Sequence, residues 1–230
     1  MLPTPLTPHL ANPEFESVYE PAEDTFILLD ALEQDADVLR GSRVCLEVGS
    51  GSGCVITFLA SICGTHSALY LTTDLNSIAC RSTLLTARTN SQPLIESINT
   101  DLTSSLSPRL HKAVDVLVFN PPYVETEEEE AITAQQDAEK KGIEKTWAGG
   151  AQGMRVTNRL LEQVKDLLSP RGLFYLVAVP ENKPQQILAN MRSLGLHGEI
   201  VLKRRAGREH LHVLRFSHPE HYSAAAAAAP

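Results

Sequence analysis

The chain has 230 residues, enough for one large domain or two small ones. Its net charge of -8, with 43% hydrophobic and 21% charged residues, is ordinary for a globular protein and argues against general affinity for nucleic acid backbones or anionic membranes. No apolar run reaches membrane-spanning length, and a signal-peptide pattern is not seen. The four cysteines form no C-x-x-C pair, so we expect free, buried thiols in a cytoplasmic or nuclear protein.

The first segment, residues 1–16, carries prolines at positions 3, 5 and 8 and predicts a flexible N-terminal arm. A helix follows, in which Pro21 suits the first turn, and Glu23 and Asp24 favour the positive end of the helix dipole. Helix capping alone is sufficient to explain these three residues.

A strand, a glycine turn and a helix then follow without interruption. The apolar run Val44–Val48 predicts the strand, and the turn has the spacing G-x-G-x-G at Gly49, Gly51 and Gly53. This is the first unit of a nucleotide-binding sheet, although dinucleotide enzymes use G-x-G-x-x-G instead. The acidic Glu47 near the strand end would repel a pyrophosphate but suits an amine or a cation. Its alternative role is to cap the glycine loop.

Acidic residues also follow the next two predicted strands. The strand 68–73 ends in Asp74, at the position that binds ribose hydroxyls in such folds, although Asp74 could equally cap the following helix. The shorter, more polar run 94–99 predicts an edge strand. Asp101 at its end could accept from an exocyclic amine while Leu102 packs on a base, or the pair could form a simple turn.

The chemistry of the sequence centres on the tetrapeptide Asn120-Pro121-Pro122-Tyr123. It follows the buried strand 114–119, which must stop at the prolines because they cannot donate to a sheet ladder. Asn120 therefore lies at the carboxyl end of a strand, where open α/β sheets bind ligands. Its side-chain carbonyl and the Pro121 carbonyl could accept both hydrogens of one planar –NH2 group, which the Tyr123 ring could cover. The alternative is an ordinary strand-ending turn.

The rest of the chain continues the strand and helix alternation, which predicts one α/β domain over residues 17–218. The acidic stretch 124–148 is typical of a solvated helix or loop and could also form a lid over the site. The Ala-rich residues 219–230 predict a disordered tail. We predict no metal site, because the late histidines lack companion acids or cysteines. The remaining predicted elements are a helix at 154–168, a strand at 173–179, a helix at 184–194, and strands at 200–202 and 211–216.

These motifs, in this order, resemble class I S-adenosylmethionine-dependent methyltransferases. That family implies a single Rossmann-like domain with a mostly parallel seven-stranded sheet, one antiparallel strand and helices on both faces. The N-P-P-Y ending is similar to that of enzymes that methylate planar amino groups. The segments 19–25 and 147–150 look like the eukaryotic HemK-like glutamine methyltransferases, which modify the Gly-Gly-Gln loop of the class 1 translation release factor. The resemblance spans residues 17–216.

The resemblance also implies roles for individual residues. The expected substrate-binding residues are Asn120, Pro121, Pro122 and Tyr123, and the catalytic roles would fall to Asn120, Pro121 and Tyr123. The expected cofactor-binding residues are Thr25, Glu47, Gly49, Gly51, Asp74, Asp101, Leu102 and Asn120.

The resemblance further implies a partner, a small zinc-binding activator subunit that forms an obligate heterodimer along the edge strand 94–99. The N-terminal substrate-binding domain of the bacterial relatives has no counterpart in this sequence. Substrate recognition would then come from the acidic stretch, the N-terminal arm or a second protein. We expect neither stable nucleic acid binding nor a membrane partner. An adenine-N6 methyltransferase is the main alternative, and protein-lysine methylation is a further side activity. A third hypothesis is a degenerate methyltransferase fold that acts as a binding scaffold, which a measurement of cofactor binding would distinguish.

Overall fold

The computed structural model describes residues 2–122, 154–207 and 209–220. Its strands form one seven-stranded sheet in the order β3-β2-β1-β4-β5-β7-β6. Strand β7 is antiparallel to both of its neighbours, and the other strands share one direction, which confirms the predicted sheet. The strands are β1 (Val44–Val48), β2 (Leu69–Asp74), β3 (Ile95–Asn99), β4 (Val114–Phe119), β5 (Leu168–Ala178), β6 (His197–Ala206) and β7 (Glu209–Ser217).

Helices cover both faces of the sheet, as predicted. The described helices are α1 (Glu23–Gln34), α2 (Ala36–Leu39), α3 (Cys54–Cys63), α4 (Ser77–Thr89), α5 (Arg155–Leu167) and α6 (Pro184–Ser193). Successive strand residues point to opposite faces, so Cys45 packs in the cluster that contains α1 and α3, and Leu46 packs in the cluster that contains α5 and α6. The sheet therefore lies between two hydrophobic cores, in the Rossmann-like arrangement that the sequence predicts.

The central and edge strands differ in the way their sequences predict. Strand β4 lies between β1 and β5, and all but one of its residues are buried, which explains the continuous apolar run 114–119. Strand β3 is an outer strand that pairs with β2, and only Ile95 among its residues is buried, the others being partly or fully exposed. The carboxyl ends of β1, β2, β3 and β4 meet at one edge of the sheet.

Strand β5 is longer than the sequence predicts. It begins at Leu168 rather than at Leu173, and its register against β4 shifts between the pairs that start at Val114 and Val116. Gly172 permits this close passage, because a Cβ atom there would lie 2.6 Å from the Val114 carbonyl oxygen. Residues 169–172, which fall between the predicted helix 154–168 and the predicted strand 173–179, thus belong to an irregular strand start.

The last two strands are also longer than predicted. Strand β6 covers 197–206 rather than 200–202, and β7 covers 209–217 rather than 211–216. The charged residues around Arg204 fall between the two predicted strands. They lie in β6, an outer strand of the sheet, where exposed charged side chains are well tolerated.

The N-terminal segment packs against α4, although its prolines predicted a flexible arm. Two 3-10 helices, Pro8–Ala11 and Pro13–Phe15, begin at prolines because a fixed φ angle suits a first helical position. Phe15 is buried against Ala79 of α4. Asn90 at the end of α4 bonds both the backbone N–H and the carbonyl of Leu6, each at 2.8 Å. The prolines in this segment therefore begin short helical turns, and the second turn places the buried Phe15 against α4.

Candidate active site

Asn120 follows the central strand β4 at the carboxyl edge of the sheet. It is partly buried, Pro121 beside it is buried, and Pro122 is partly exposed. The Asn120 Oδ1 atom is buried and has no hydrogen-bond partner among the described residues. An unpaired buried acceptor is costly, so this oxygen is suited to a donor from a ligand. Tyr123 lies outside the described residues, as does the stretch 124–148.

The other end of the Asn120 side chain is held by the first turn of α1. Asn120 Nδ2 donates to Asp24 Oδ2 at 3.0 Å. The buried Asp24 carboxylate also accepts from Tyr19 Oη, at 3.1 and 3.0 Å to its two oxygens, and from the Thr25 backbone N–H at 2.6 Å. Thr25, an expected cofactor residue, is therefore next to the group that holds Asn120.

The glycine turn between β1 and α3 is fixed by the end of β2. The N–H groups of Gly49 and Ser50 donate to the Thr73 carbonyl at 2.7 and 3.2 Å. Gly53 has a φ angle of +77° and lies so close to α4 that a Cβ atom would be 2.5 Å from Thr83 Cα. Only glycine combines this backbone conformation with this contact. The turn is therefore held in a defined shape by the protein itself.

Asp74 links the glycine turn to the start of α4. Its Oδ2 accepts from Gly51 N–H at 2.9 Å, and its Oδ1 accepts from Asn76 N–H at 2.8 Å. The helix cap itself is Asn76, whose side chain accepts from Ile78 N–H at 2.9 Å. Burial raises the pKa of Asp74, and the backbone donors oppose that shift. Each carboxylate oxygen has a second lone pair, so the hydroxyls of a diol still have acceptors here.

Glu47 is a buried carboxylate behind the glycine turn. Its Oε2 accepts from the Ile56 N–H in the first turn of α3 at 2.9 Å, so it holds the start of the helix that follows the glycine turn. Burial raises the pKa of Glu47 well above its usual range, and the nearby Asp74 carboxylate raises it further. A cationic ligand beside Glu47 would stabilise the ionised form. The site is therefore electrostatically suited to an ammonium group.

Asp101 and Leu102 lie beyond the end of β3. Leu102 is buried with a φ angle of +48°, which places it in the left-handed region. Asp101 is exposed, and its Oδ2 lies 2.5 Å from Nη2 of Arg159 on α5. The carboxylate expected to accept an adenine amine is thus turned toward an arginine in this structure. The preceding residue, Thr100, donates its N–H to the Asp74 carbonyl at 3.0 Å, which joins the end of β3 to the end of β2.

The fold brings most of the predicted site residues to one edge of the sheet. Residues that sequence reasoning did not assign to the site are Tyr19, Asp24 and Arg159. Asp24 had a local explanation as a helix-start acid, and its contact with Asn120 joins residues 96 positions apart. No local pattern carries that information. Among the described residues, no group of three or more His, Cys, Asp or Glu side chains is placed to hold a metal ion.

Comparison with known proteins gives consistent results. The family model for the methyltransferase small domain matches residues 19–140. The human protein named methyltransferase HEMK2 is 52% identical over 214 residues, which cover 93% of this chain and 96% of that protein. The Schizosaccharomyces pombe protein named eRF1 methyltransferase catalytic subunit mtq2 is 43% identical over 227 residues, covering 94% of this chain and 95% of that protein.

A solved structure supports the same assignment. A chain of the E. cuniculi Mtq2-Trm112 complex, described as responsible for methylation of the eRF1 translation termination factor, aligns with a TM-score of 0.64 and 25% identity. The alignment covers 88% of this chain and 99% of that one. The chain therefore belongs to the methyltransferase small domain family and, within it, to the HEMK2 and Mtq2 methyltransferases.

Proposed function

We propose that the chain transfers a methyl group from S-adenosylmethionine to the side-chain amide nitrogen of a glutamine in a protein. The substrate is the Gly-Gly-Gln loop of the class 1 translation release factor, in keeping with the name of the S. pombe relative. The observation that carries the proposal is the buried Asn120 Oδ1 atom, which has no partner among the described residues. An amide –NH2 group supplies the donor that this oxygen lacks.

The residues present fit the proposed cofactor. The buried Glu47, whose pKa is raised by burial, suits the ammonium of the methionine part. Thr25 is assigned to the same part of the cofactor, and the backbone of Gly49 and Gly51 allows close approach. Asp74 has lone pairs left for the ribose hydroxyls. Leu102 and Asp101 are assigned to the adenine. When bound, the cofactor supplies a methyl group activated by its positively charged sulfur.

The task of the protein is mainly alignment, because an amide nitrogen is a poor nucleophile. Asn120 Oδ1 and the Pro121 carbonyl accept the two amide hydrogens, which aims the nitrogen and favours its change from planar to tetrahedral. Such positioning contributes ~7–11 kcal/mol in well-aligned reactions. The same acceptors stabilise the positive charge that develops on nitrogen. We assign Tyr123 to cover the amide, with Pro122 keeping the turn rigid.

The paired acceptors also give selectivity. A hydroxyl substrate lacks the second donor and leaves a buried acceptor unpaired, which reduces the specificity constant by roughly 10⁴-fold. A lysine amine has the required donors but not the planar shape, so protein-lysine methylation is assigned as a minor side activity. An adenine amino group has the required shape as well, but the chain has a net charge of -8, which opposes stable nucleic acid binding.

We also propose that a small zinc-binding activator subunit pairs with the outer strand β3 to give a heterodimer. The paired positions of β2 and β3 place Leu69 beside Leu94, and each of these leucines is 47% exposed. An open strand edge next to exposed apolar side chains is typical of a protein interface. The assembly of the E. cuniculi relative with a second protein supports this proposal.

The proposed interface can be tested by comparing charged substitutions at two exposed leucines, one inside the interface and one outside it. Leu94→Asp should abolish co-purification of the activator subunit with the chain, because it puts a charge on the proposed contact. The matched control is Leu194→Asp, which changes a leucine that is 41% exposed at the end of α6. Equal co-purification of both variants with the activator would contradict the interface.

We propose that the protein is located in the cytoplasm. All four cysteines are buried and free of disulfides, which favours the reducing cytoplasm, with the nucleus as a second compartment. A release factor substrate fits the cytoplasm. None of the described helices is both long and apolar enough to cross a membrane.

The proposed reaction is tested by methyl transfer from labelled S-adenosylmethionine, with and without the activator subunit. The acceptors offered are a Gly-Gly-Gln release factor, its Gln→Ala and Gln→Glu variants, a histone-type lysine peptide, and single-stranded and duplex DNA. We expect label on the Gln-bearing factor and none on its two variants. Label on DNA alone would leave the acceptor geometry intact and overturn the choice of substrate.

A further inference from the structure

We propose that Asp24 is a positioning residue that holds the Asn120 amide with its carbonyl oxygen toward the substrate. This inference rests on the proposed function, because it concerns how the site recognises an –NH2 donor. An asparagine amide presents a donor at one end and an acceptor at the other, and only the acceptor end is useful against an amide –NH2 group. Some feature of the protein must therefore fix which end faces the substrate.

The contact between the two side chains provides that feature. Asn120 Nδ2 donates to Asp24 Oδ2 at 3.0 Å, and an ionised carboxylate accepts hydrogen bonds but donates none. If the amide turned over, Asn120 Oδ1 would face Asp24 Oδ2, and two acceptor oxygens would lie against each other with no donor between them. Losing a buried hydrogen bond in this way disfavours the turned-over form by roughly 10–100-fold. The useful orientation is thus selected before a substrate arrives.

Asp24 is itself held firmly. Its side chain is only 3% exposed and lies in the first turn of α1, where the helix dipole stabilises a negative charge. Tyr19 Oη donates to both carboxylate oxygens, and the Thr25 N–H donates to Oδ1. These donors fix the plane of the carboxylate with Oδ2 beside Asn120. The start of α1 therefore sets the geometry of a residue at the end of β4.

The carboxylate also affects the acceptor strength of Asn120. A charged acceptor on Nδ2 polarises the amide and increases the negative character of Oδ1, as hydrogen bonds in series do in a low-dielectric interior. A stronger acceptor at Oδ1 favours the positive charge that develops on the substrate nitrogen. Asp24 touches neither substrate nor cofactor in this scheme, so its contribution acts entirely through Asn120.

The first test is Asp24→Asn in the full chain expressed with the activator subunit. The introduced amide can face Asn120 with either end, so the turned-over form is no longer excluded. We expect kcat for the Gln-bearing release factor to fall by ~10–100-fold, while the dissociation constant for S-adenosylmethionine stays within about threefold. The matched control is Asp30→Asn on the same helix, whose carboxylate pairs with Arg204 at the surface, and its kcat should stay within about twofold of wild type.

A spectroscopic readout separates this role from simple helix capping. In wild type, one side-chain amide proton of Asn120 is bonded to a carboxylate, so its NMR signal should be shifted downfield and exchange slowly with solvent. The signal is assigned by its loss in Asn120→Asp. It should move upfield and exchange faster in Asp24→Asn and remain in place in Asp30→Asn. This readout needs no substrate, so it stands even if wild type transfers nothing to glutamine and the proposed function fails.

Charge exchange gives the second test. Asn120→Asp places two carboxylates together and should lower kcat by at least about 100-fold. Adding Asp24→Asn should recover at least tenfold of that loss, because the introduced amide can donate to the introduced carboxylate and leave its other oxygen as the acceptor. Wild-type kcat in Asp24→Asn, an unmoved amide signal, or no recovery in the double variant would each overturn the proposal. A general fold defect in Asp24→Asn would lower the melting temperature and cannot produce that recovery.

Discussion

The two sides of the active site treat their polar side chains differently. On the proposed cofactor side, Glu47 and Asp74 accept hydrogen bonds from backbone N–H groups and thereby hold the glycine turn and two helix starts. On the proposed substrate side, the Asn120 amide nitrogen is hydrogen-bonded, while its buried oxygen has no partner among the described residues. The protein's own backbone thus supplies hydrogen-bond donors to both carboxylates, whereas the Asn120 oxygen lacks a donor among the described residues. Truncation should therefore affect the two sides in different ways.

Asn120→Ala should have the largest effect. We expect kcat to fall by roughly 10²–10³-fold, as when one preorganised hydrogen-bonding group of a transition state is removed. The dissociation constant for S-adenosylmethionine, measured by calorimetry, should stay within a few-fold. The control is Asn90→Ala, which removes an amide that bonds Leu6 outside the site. A loss of cofactor affinity as large as the loss of kcat would contradict the division between the two sides.

Asp74→Ala should come next and should show the opposite pattern. It removes the acceptor for Gly51 N–H and Asn76 N–H together with the proposed acceptor for the ribose, so cofactor affinity should fall by roughly 10–100-fold. Asp37→Ala, which removes an exposed carboxylate paired with Arg40, is the control and should leave affinity unchanged. Calorimetry decides the matter, and an unchanged affinity in Asp74→Ala would rule out the ribose role.

Glu47→Gln should stabilise the free protein at neutral pH while weakening the cofactor. Burial raises the folded-state pKa of Glu47 above its unfolded value. The folded state therefore binds more protons between those two pKa values, and wild-type stability falls as pH rises through that window. Glutamine does not ionise, so the advantage of the variant should grow from pH 4 to pH 8, to roughly 2–4 °C in melting temperature.

Thermal unfolding of the free Glu47→Gln protein at several pH values measures this difference. The conservative amide keeps an oxygen for the Ile56 N–H, so the start of α3 should be preserved. A difference from wild type that is the same at pH 4 and pH 8 would mean that the ionisation of Glu47 is not the cause.

Arg159→Ala should have the smallest effect. The ion pair with Asp101 has both side chains about half exposed, at 53% and 47%, so its loss should change the free energy of unfolding by less than about 1 kcal/mol. It also releases the carboxylate assigned to the adenine amine, so cofactor affinity should stay level or rise slightly. Arg81→Ala, which removes another exposed pair, with Glu14, is the control. A clear loss of affinity in Arg159→Ala alone would assign Arg159, rather than Asp101, to the cofactor.

The central part of the site could be predicted because its information is local. An apolar run followed by two prolines fixes both the strand β4 and the point where it ends, so Asn120 had to lie at the carboxyl edge of the sheet. Glu47 and the glycine turn are determined in the same way by one continuous stretch. The order of these stretches then carried the resemblance to the methyltransferase family.

The features that the sequence missed depend on contacts between distant parts of the chain. Asp24 has a complete local explanation at a helix start, and only the packing of α1 against the end of β4 gives it a second role. The early start of β5 depends on the approach of Gly172 to Val114 across two strands. The N-terminal prolines likewise predicted flexibility, because the buried position of Phe15 on α4 is a tertiary property.

The central claim is that Asn120 presents an acceptor for a primary amide of a protein. The most direct measurement is tandem mass spectrometry of the release factor after reaction with S-adenosylmethionine, using wild type and Asn120→Ala in parallel. The account predicts a single added methyl group on the glutamine side chain of the Gly-Gly-Gln loop with wild type and none with the variant. A methyl group on lysine or another residue, or equal modification by both proteins, would contradict it.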